Sequence, residues 1–189
     1  MRVFIAVELP QDAKEKVAKI QDKIKKSDNV NRIKWVNPDS LHITLKFLGE
    51  IEKERLRDVF EVAEKTGSNF SCFSVNIQGM GVFPETGTPR VLWVGIEEGA
   101  SQLFQIVQKL EKDLSERGFA REKKEWKPHI TIARVKQITN KQLIKNLVGR
   151  EKDTEGAKVK VEKISVMQSR LTPQGAIYTP LKRFSLQKV

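Results

Sequence analysis

Two short stretches that read almost alike decide the fold: Leu41-His42-Ile43-Thr44-Leu45 and Pro128-His129-Ile130-Thr131-Ile132. Their histidines are the only two in the chain and lie 87 positions apart. The alternation of apolar and polar residues predicts a β-strand for each stretch, with the isoleucines facing a core and His and Thr sharing the other face. A strand that recurs at a fixed offset indicates an internal duplication.

The elements around these His-x-Thr triplets repeat in the same order. A strand at residues 2–7 and the helix after it have counterparts in a strand at 90–95 and its helix. A second helix follows each triplet, and β-rich sequence at 73–83 and 159–171 ends each half. We therefore expect one domain, 1–189, built from halves 1–83 and 90–171 with a C-terminal strand at 172–189. The first helices share one apolar spacing: Ala13, Val17, Ile20, Ile24 and Leu103, Val107, Leu110, Leu114.

The composition excludes several classes of protein. The chain has 189 residues, 39% of them hydrophobic, and 35 Lys and Arg against 24 Asp and Glu give a net charge of +11. This predicts a folded, basic domain rather than a disordered tail. No apolar run approaches the roughly 20 residues that span a bilayer, and the opening sequence lacks a secretory signal. The single Cys72 excludes an internal disulfide. We expect a monomeric, cytoplasmic protein with no membrane segment.

The order of strands and helices predicts the fold class. Short strands and amphipathic helices without long parallel βαβ runs favour an α+β protein whose antiparallel sheets are covered by helices. We expect two pseudo-symmetric lobes, each with an antiparallel sheet and covering helices, and an active-site cleft between them. A two-fold relation between the lobes would make the two histidines face each other.

Two facing imidazoles indicate acid-base chemistry. With an unperturbed pKa of about 6.5, one ring can be neutral and the other protonated near neutral pH. In-line displacement at a phosphodiester uses such a pair, because the attacking oxygen loses a proton while the departing oxygen gains one. Threonine hydroxyls two residues beyond each histidine can hydrogen-bond the non-bridging oxygens. The predicted catalytic residues are His42, Thr44, His129 and Thr131.

Structural histidines and a metal site are the alternatives to this pair. A single strand histidine is more often structural, but two in a repeated context on a polar face favour a function. A metal site needs a third ligand, and no HExxH motif or acidic cluster accompanies either triplet. No GxSxG motif marks a serine nucleophile, and Cys72 has no histidine beside it in sequence. We expect no metal and no cofactor.

The two triplets, their 87-residue separation and the opening MRVFIAVELP resemble the 2H phosphoesterases, and in particular the RNA 2′,3′-cyclic phosphodiesterases, also called 2′-5′ RNA ligase-like proteins. The likeness covers essentially the whole chain, including the stretch 89–95 and the closing 171–175 with Tyr178. It implies a bilobal fold in which the termini form one lobe and the middle of the chain the other.

The resemblance also implies an activity, the metal-independent hydrolysis of an RNA-terminal 2′,3′-cyclic phosphate to a 2′-phosphomonoester. By that likeness His42 would donate a proton to the departing 3′ oxygen and His129 would activate water. The symmetry of the two triplets alone does not assign these roles. The partner implied is RNA with a cyclic phosphate end, with transfer RNA as one candidate.

Cations and aromatic rings near the triplets are candidates for substrate binding. Strict alternation places Lys46 on the face of His42, and Arg90 opens the strand at 90–95, so both are predicted to bind phosphate. Alternation places Arg134 on the core-facing side of its strand, so it is predicted to be structural. Arg170 is predicted to lie at the rim of the cleft. Phe47 and Trp93 are predicted to pack in the core, and the mixed-charge run 121–125 to be a solvated loop.

Three further functions stay open from the sequence. Related members of the resembled family form or open 2′-5′ linkages in RNA, so a ligase-like activity is an alternative. A non-catalytic protein that binds RNA ends, with histidines that only line a phosphate pocket, is the alternative from another class. A related enzyme acting on small cyclic nucleotides is a third.

Overall fold

Each His-x-Thr triplet begins a nine-residue strand in the computed structural model, which describes residues 1–27, 32–173 and 175–188. Four α-helices occur in this part of the chain: α1 (Gln11–Ser27), α2 (Leu56–Gly67), α3 (Ala100–Glu116) and α4 (Lys141–Arg150). The strands are β1 (Arg2–Glu8), β2 (Arg32–Trp35), β3 (His42–Glu50), β4 (Phe73–Phe83), β5 (Val91–Ile96), β6 (His129–Gln137), β7 (Glu155–Val161), β8 (Lys163–Thr172) and β9 (Gly175–Ser185).

The strands form two antiparallel sheets. The first has the order β3-β1-β8-β9 and joins strands from both ends of the chain, whereas the second, β2-β6-β5-β4-β7, comes from its middle. Helices α2 and α3 pack on the first sheet, and α1 and α4 on the second. The predicted α+β class, with two antiparallel sheets and covering helices, is confirmed.

The apolar faces predicted for the first helices are buried. All eight positions of the two spacings are 5% exposed or less, and they belong to one core that also includes the inward residues of the sheets. Gln21 interrupts the apolar face of α1 and is fully buried. Its Nε2 donates to the carbonyl oxygens of Val36 and Ile132, both at 2.9 Å. This amide therefore fixes α1 to β6.

A β-bulge occurs at the same position in the two triplet strands. In β3 the pairing with β1 shifts between Thr44, opposite Ala6, and Lys46, opposite Ile5. In β6 the pairing with β5 shifts between Thr131, opposite Trp93, and Ala133, opposite Leu92. Because a bulge inserts one extra residue, it reverses which later side chains face the core. The two bulges are again 87 residues apart, as the triplets are.

Strands β3 and β6 are in contact although they belong to different sheets. Trp126, just before β6, strengthens this junction because its indole Nε1 donates to the carbonyl oxygen of Thr44 at 3.0 Å. The bond joins residues 82 positions apart, one on each side of the junction. The fold therefore brings the two triplets to one place.

Candidate active site

The two histidine rings are held in the same way. Nδ1 of His42 lies 2.7 Å from the carbonyl oxygen of Ser40, and Nδ1 of His129 lies 2.7 Å from that of Lys127. A carbonyl oxygen only accepts hydrogen bonds, so Nδ1 carries the proton in each ring. Nε2 is then the nitrogen that gains or loses a proton. Each ring is fixed by the backbone two residues before it and presents one reactive nitrogen.

Aromatic rings surround both histidines. His42 packs against Phe4 and Tyr178, with ring centroids 4.9 and 5.0 Å away, and His129 against Phe83 and Trp93, at 4.9 and 6.4 Å. These contacts restrict water around the half-buried imidazoles and disfavour their charged forms. The site is thus polar at Nε2 and apolar around each ring.

Burial lowers the pKa of both histidines below the usual 6.5. The carbonyl that each Nδ1 contacts opposes this shift. The positive charges of His129 and Lys14 lower the pKa of His42 further, so the two imidazoles influence each other electrostatically. One proton shared between two such rings leaves one neutral base and one protonated acid.

Both threonines lie on the histidine face of their strands. Thr44 is opposite Ala6, and Thr131 is opposite Trp93, two residues beyond His42 and His129. Each is half-buried, and neither hydroxyl has a hydrogen-bond partner within the described residues. A hydroxyl in this position can donate to a bound oxyanion.

The structure does not support the phosphate-binding role predicted for Lys46. The bulge turns Lys46 to the core side of the sheet, where it is 4% exposed. Its Nζ forms an ion pair with Glu111 at 2.8 Å and donates to the carbonyl oxygen of Ala120 at 2.7 Å. Strict alternation failed here because it ignored the extra residue in the strand. The ammonium group is already neutralised by its own protein.

The bulges also reverse the predictions for Phe47 and Arg134. Phe47 lies opposite Phe4, on the His42 face, and is 56% exposed instead of packing in the core. Arg134 lies opposite Val91, on the His129 face, and is exposed instead of structural. The two residues occupy equivalent positions in their strands. They make the two sides of the site chemically different, one aromatic and one cationic.

Arg90 and Trp93 are also placed differently from expectation. Arg90 immediately precedes β5 instead of opening it, and its side chain is exposed. Its backbone N–H donates to the carbonyl oxygen of Phe83 at 2.7 Å. Trp93 lies on the His129 face, with its indole directly over Gly81, where a Cβ would clash with the ring. The phosphate-binding role predicted for Arg90 gains no support from this placement.

Sequence reasoning missed a charged cluster beside His42. Glu8, opposite His42 across β1 and β3, accepts two hydrogen bonds from Arg183, at 2.8 and 2.9 Å, and a third from the hydroxyl of Ser165. The Arg183 guanidinium is the main cause that lowers the pKa of Glu8. These partners are 157 and 175 positions away, so no local pattern could reveal them.

Comparison with known proteins identifies the family. Residues 3–186 match the model of the AKAP7 2′5′ RNA ligase-like domain. The chain belongs to the 2′-5′ RNA ligase-like family. The resemblance inferred from the two triplets is therefore confirmed.

Similar members of the 2′-5′ RNA ligase-like family occur in archaea and bacteria. The RNA 2′,3′-cyclic phosphodiesterase of Methanothermobacter thermautotrophicus is 35% identical over 98% of this chain and 99% of its own. The protein of the same name from Thermotoga maritima is 33% identical over 96% of this chain and 93% of its own. The crystal structure of TT0787 of Thermus thermophilus has a TM-score of 0.81 at 31% identity, covering 98% of both chains. Escherichia coli LigT, at 23% identity and a TM-score of 0.77, shares the fold.

The described residues were also compared with the requirements of a metal site and of a membrane-spanning helix. Within residues 1–27, 32–173 and 175–188, no three His, Cys, Asp or Glu side chains are grouped as a metal site would require. No helix among the same residues has the length and hydropathy to span a membrane.

Proposed function

We propose that this protein hydrolyses the 2′,3′-cyclic phosphodiester at the end of an RNA to a 2′-phosphomonoester. The observation that carries the proposal is the matched pair of imidazoles, each with Nδ1 bound to a backbone carbonyl and Nε2 left for proton transfer. Relatives about 35% identical over nearly the full chain carry the name of this activity.

The reaction is an in-line displacement by water. In the roles that the family resemblance implies, Nε2 of neutral His129 takes a proton from water as the water oxygen bonds to phosphorus, and the bond from phosphorus to O3′ breaks. Protonated His42 gives the Nε2 proton to O3′, so the product carries a 3′ hydroxyl and a 2′ phosphate. The hydroxyls of Thr44 and Thr131 donate to the non-bridging oxygens as charge grows there. Proton exchange with solvent then restores the starting forms.

Arg134 is the cation that best fits the phosphate. It is exposed on the face of His129 and Thr131, whereas Lys46 is paired with Glu111. A guanidinium binds phosphate oxygens through two parallel N–H donors. We include Arg134 in the proposed binding site in place of Lys46, which alternation had predicted, and the role of Arg90 stays a prediction.

We also propose a substrate, a cellular compartment and an oligomeric state for the enzyme. The substrate is an RNA end, with transfer RNA as one candidate, and the enzyme acts as a cytoplasmic monomer that requires neither metal nor cofactor. A net charge of +11 supports a polyanionic partner, since phosphate contacts by Lys and Arg release counterions. The matched bulges and triplets support an origin of domain 1–189 by duplication of the segments 1–83 and 90–171.

The deciding experiment measures hydrolysis of an oligoribonucleotide with a 2′,3′-cyclic phosphate end, in EDTA, by wild type and single histidine variants. His42→Asn and His129→Asn keep a side-chain N–H for the backbone carbonyl but lack Nε2. We expect each to lower kcat by about 10²- to 10⁴-fold, the range of one general acid or base. Full activity in either variant would contradict the two-histidine mechanism. Loss of wild-type activity in EDTA would favour a metal-dependent enzyme.

The same assay separates the alternatives. Tight, salt-sensitive binding of the RNA end without turnover would indicate a non-catalytic binding protein. Addition of a second RNA with a 5′ hydroxyl tests the ligase-like activity, in which that hydroxyl replaces water and a 2′-5′ linkage forms as O3′ leaves. The family description of the matched domain is the observation that favours this second candidate.

A further inference from the structure

A groove lies beside β3, between this strand and α3. It has a volume of about 500 Å³, and Thr44 and His129 are among the residues that line it. Phe104 and Gln108 of α3 also line it, as do Arg121 and Trp126 of the segment between α3 and β6. Its volume is that of a site for a sizeable ligand. Because it shares two residues with the proposed catalytic site, the groove is continuous with the place where the cyclic phosphate would react.

Exposed aromatic rings line this groove. Phe47 is 56% exposed and Phe104 is 41% exposed, and they are two of the four large hydrophobic residues left exposed in the described part of the chain. Phe47 also lies 6.1 Å from Phe4, which contacts His42, so it connects the groove with the histidine site. Flat rings open to water beside a polyanion site are suited to stacking on unpaired bases.

Cations stand at the rim of the groove. Lys112, Arg121 and Lys124 line it and form no ion pair with any other described residue. Of the acidic residues in the lining, Glu111 is neutralised by Lys46, which leaves Glu122 and Glu125. Three unpaired cations and only two acidic residues fit a single-stranded nucleic acid whose phosphates run along the rim of the groove while its bases point to the floor.

We propose that the groove binds the single-stranded nucleotides immediately 5′ of the cyclic phosphate end. The inference rests on the proposed function, since it specifies how a polymeric substrate continues beyond the histidines. The α3 residues that line the groove run from Phe104 to Lys112, about 12 Å at 1.5 Å per residue. Stacked nucleotides advance about 3.4 Å each, so the groove accommodates more than one base.

The test compares two substrates that share the same terminal nucleotide. Hydrolysis of uridine 2′,3′-cyclic phosphate is measured beside that of a short oligouridylate with the same cyclic end, and kcat/KM is taken for each. Phe104→Ala is expected to lower the ratio of oligomer to mononucleotide kcat/KM by about tenfold, near the lower limit of the stacking contribution of one ring. Phe104→Trp restores the ratio because it restores the stacking surface.

Ile177→Ala is the matched control. Ile177 is 47% exposed, is comparable in size and exposure to Phe104, and does not line the groove, so its variant keeps the wild-type ratio. An unchanged ratio in Phe104→Ala, with wild type hydrolysing both substrates, would overturn this inference and leave the proposed function intact. An equal loss of kcat/KM on both substrates would mean that the groove binds the terminal base, and this result would overturn the inference as well. Failure of wild type to hydrolyse either would overturn both proposals.

Discussion

At the scale of single residues, the two imidazoles determine how activity should depend on pH. Burial lowers both pKa values below 6.5, so each ring becomes neutral at a lower pH than a free imidazole. The proposed mechanism needs one ring protonated and the other neutral, and kcat/KM reports the free enzyme. We expect a bell-shaped kcat/KM profile whose two limbs both lie below about pH 6.5. Profiles of kcat shift to higher pH, because bound phosphate favours the imidazolium.

Substitution of Lys14 tests how a neighbouring charge affects the pH profile of kcat/KM. Its positive charge lowers the pKa of His42, so Lys14→Met raises that pKa and moves one limb of the kcat/KM profile to higher pH. Lys16→Met, an exposed lysine on the same helix, is the control and moves neither limb. A maximum above pH 7, or equal shifts in both variants, would contradict the assignment of the limbs to the buried histidines.

At the scale of one element, the bulge in β3 makes the Lys46–Glu111 pair a determinant of stability. The Lys46 side chain is 3% exposed and that of Glu111 is 20% exposed. Glu111→Gln leaves a buried ammonium without its counter-charge, which costs about 3 kcal/mol of unfolding free energy, at the low end for broken buried pairs because water still reaches position 111. Urea unfolding measures this loss.

The matched control for that variant is Glu116→Gln, an exposed glutamate on the same helix, which should change stability by less than about 0.5 kcal/mol. Lys46→Met combined with Glu111→Leu should recover much of the loss, because neither charge then remains buried alone. Equal effects of Glu111→Gln and Glu116→Gln would mean that Lys46 is solvated and free to bind a phosphate, as alternation had predicted.

The same bulge marks the limit of sequence reasoning within a strand. Alternation correctly separated His42 and Thr44 from the buried Ile43 and Leu45, since regular pleating holds over these four residues. It failed for the next two positions, and identically in β6, because the position of an extra residue depends on pairing with the neighbouring strand. The groove beside β3 was likewise beyond prediction, since β3, α3 and the loop after it form it together.

At the scale of the whole molecule, the two halves of the sequence are not the two sheets. Strand β4 of the first half pairs with β5, and β8 of the second half pairs with β1. Helix α1 packs against β7 and is bonded to β6 through Gln21. Neither half therefore holds a complete sheet with its covering helices. We propose that the chain folds as one cooperative domain.

This proposal predicts the behaviour of fragments. Residues 1–86 and 87–189, separated between β4 and β5, should each lack cooperative thermal unfolding when followed by far-UV circular dichroism, because each exposes the partner surface of its own strands. Co-expression of the two fragments should restore a single cooperative transition. Cooperative unfolding of either fragment alone would show instead that a half of the duplication is an independent domain.

The sequence by itself determined the elements and the chemistry of the candidate site. Periodicity defined the strands and helices because burial of one face is a local property, and the repeated triplet indicated a paired acid and base because imidazole is the side chain that titrates near neutral pH. Only the tertiary structure decided which side chains surround the histidines. Contacts between residues far apart in the chain bury Lys46, expose Phe47 and Arg134 on the histidine faces, and form the groove beside Thr44, because side-chain direction beyond a bulge depends on pairing and packing across the whole molecule.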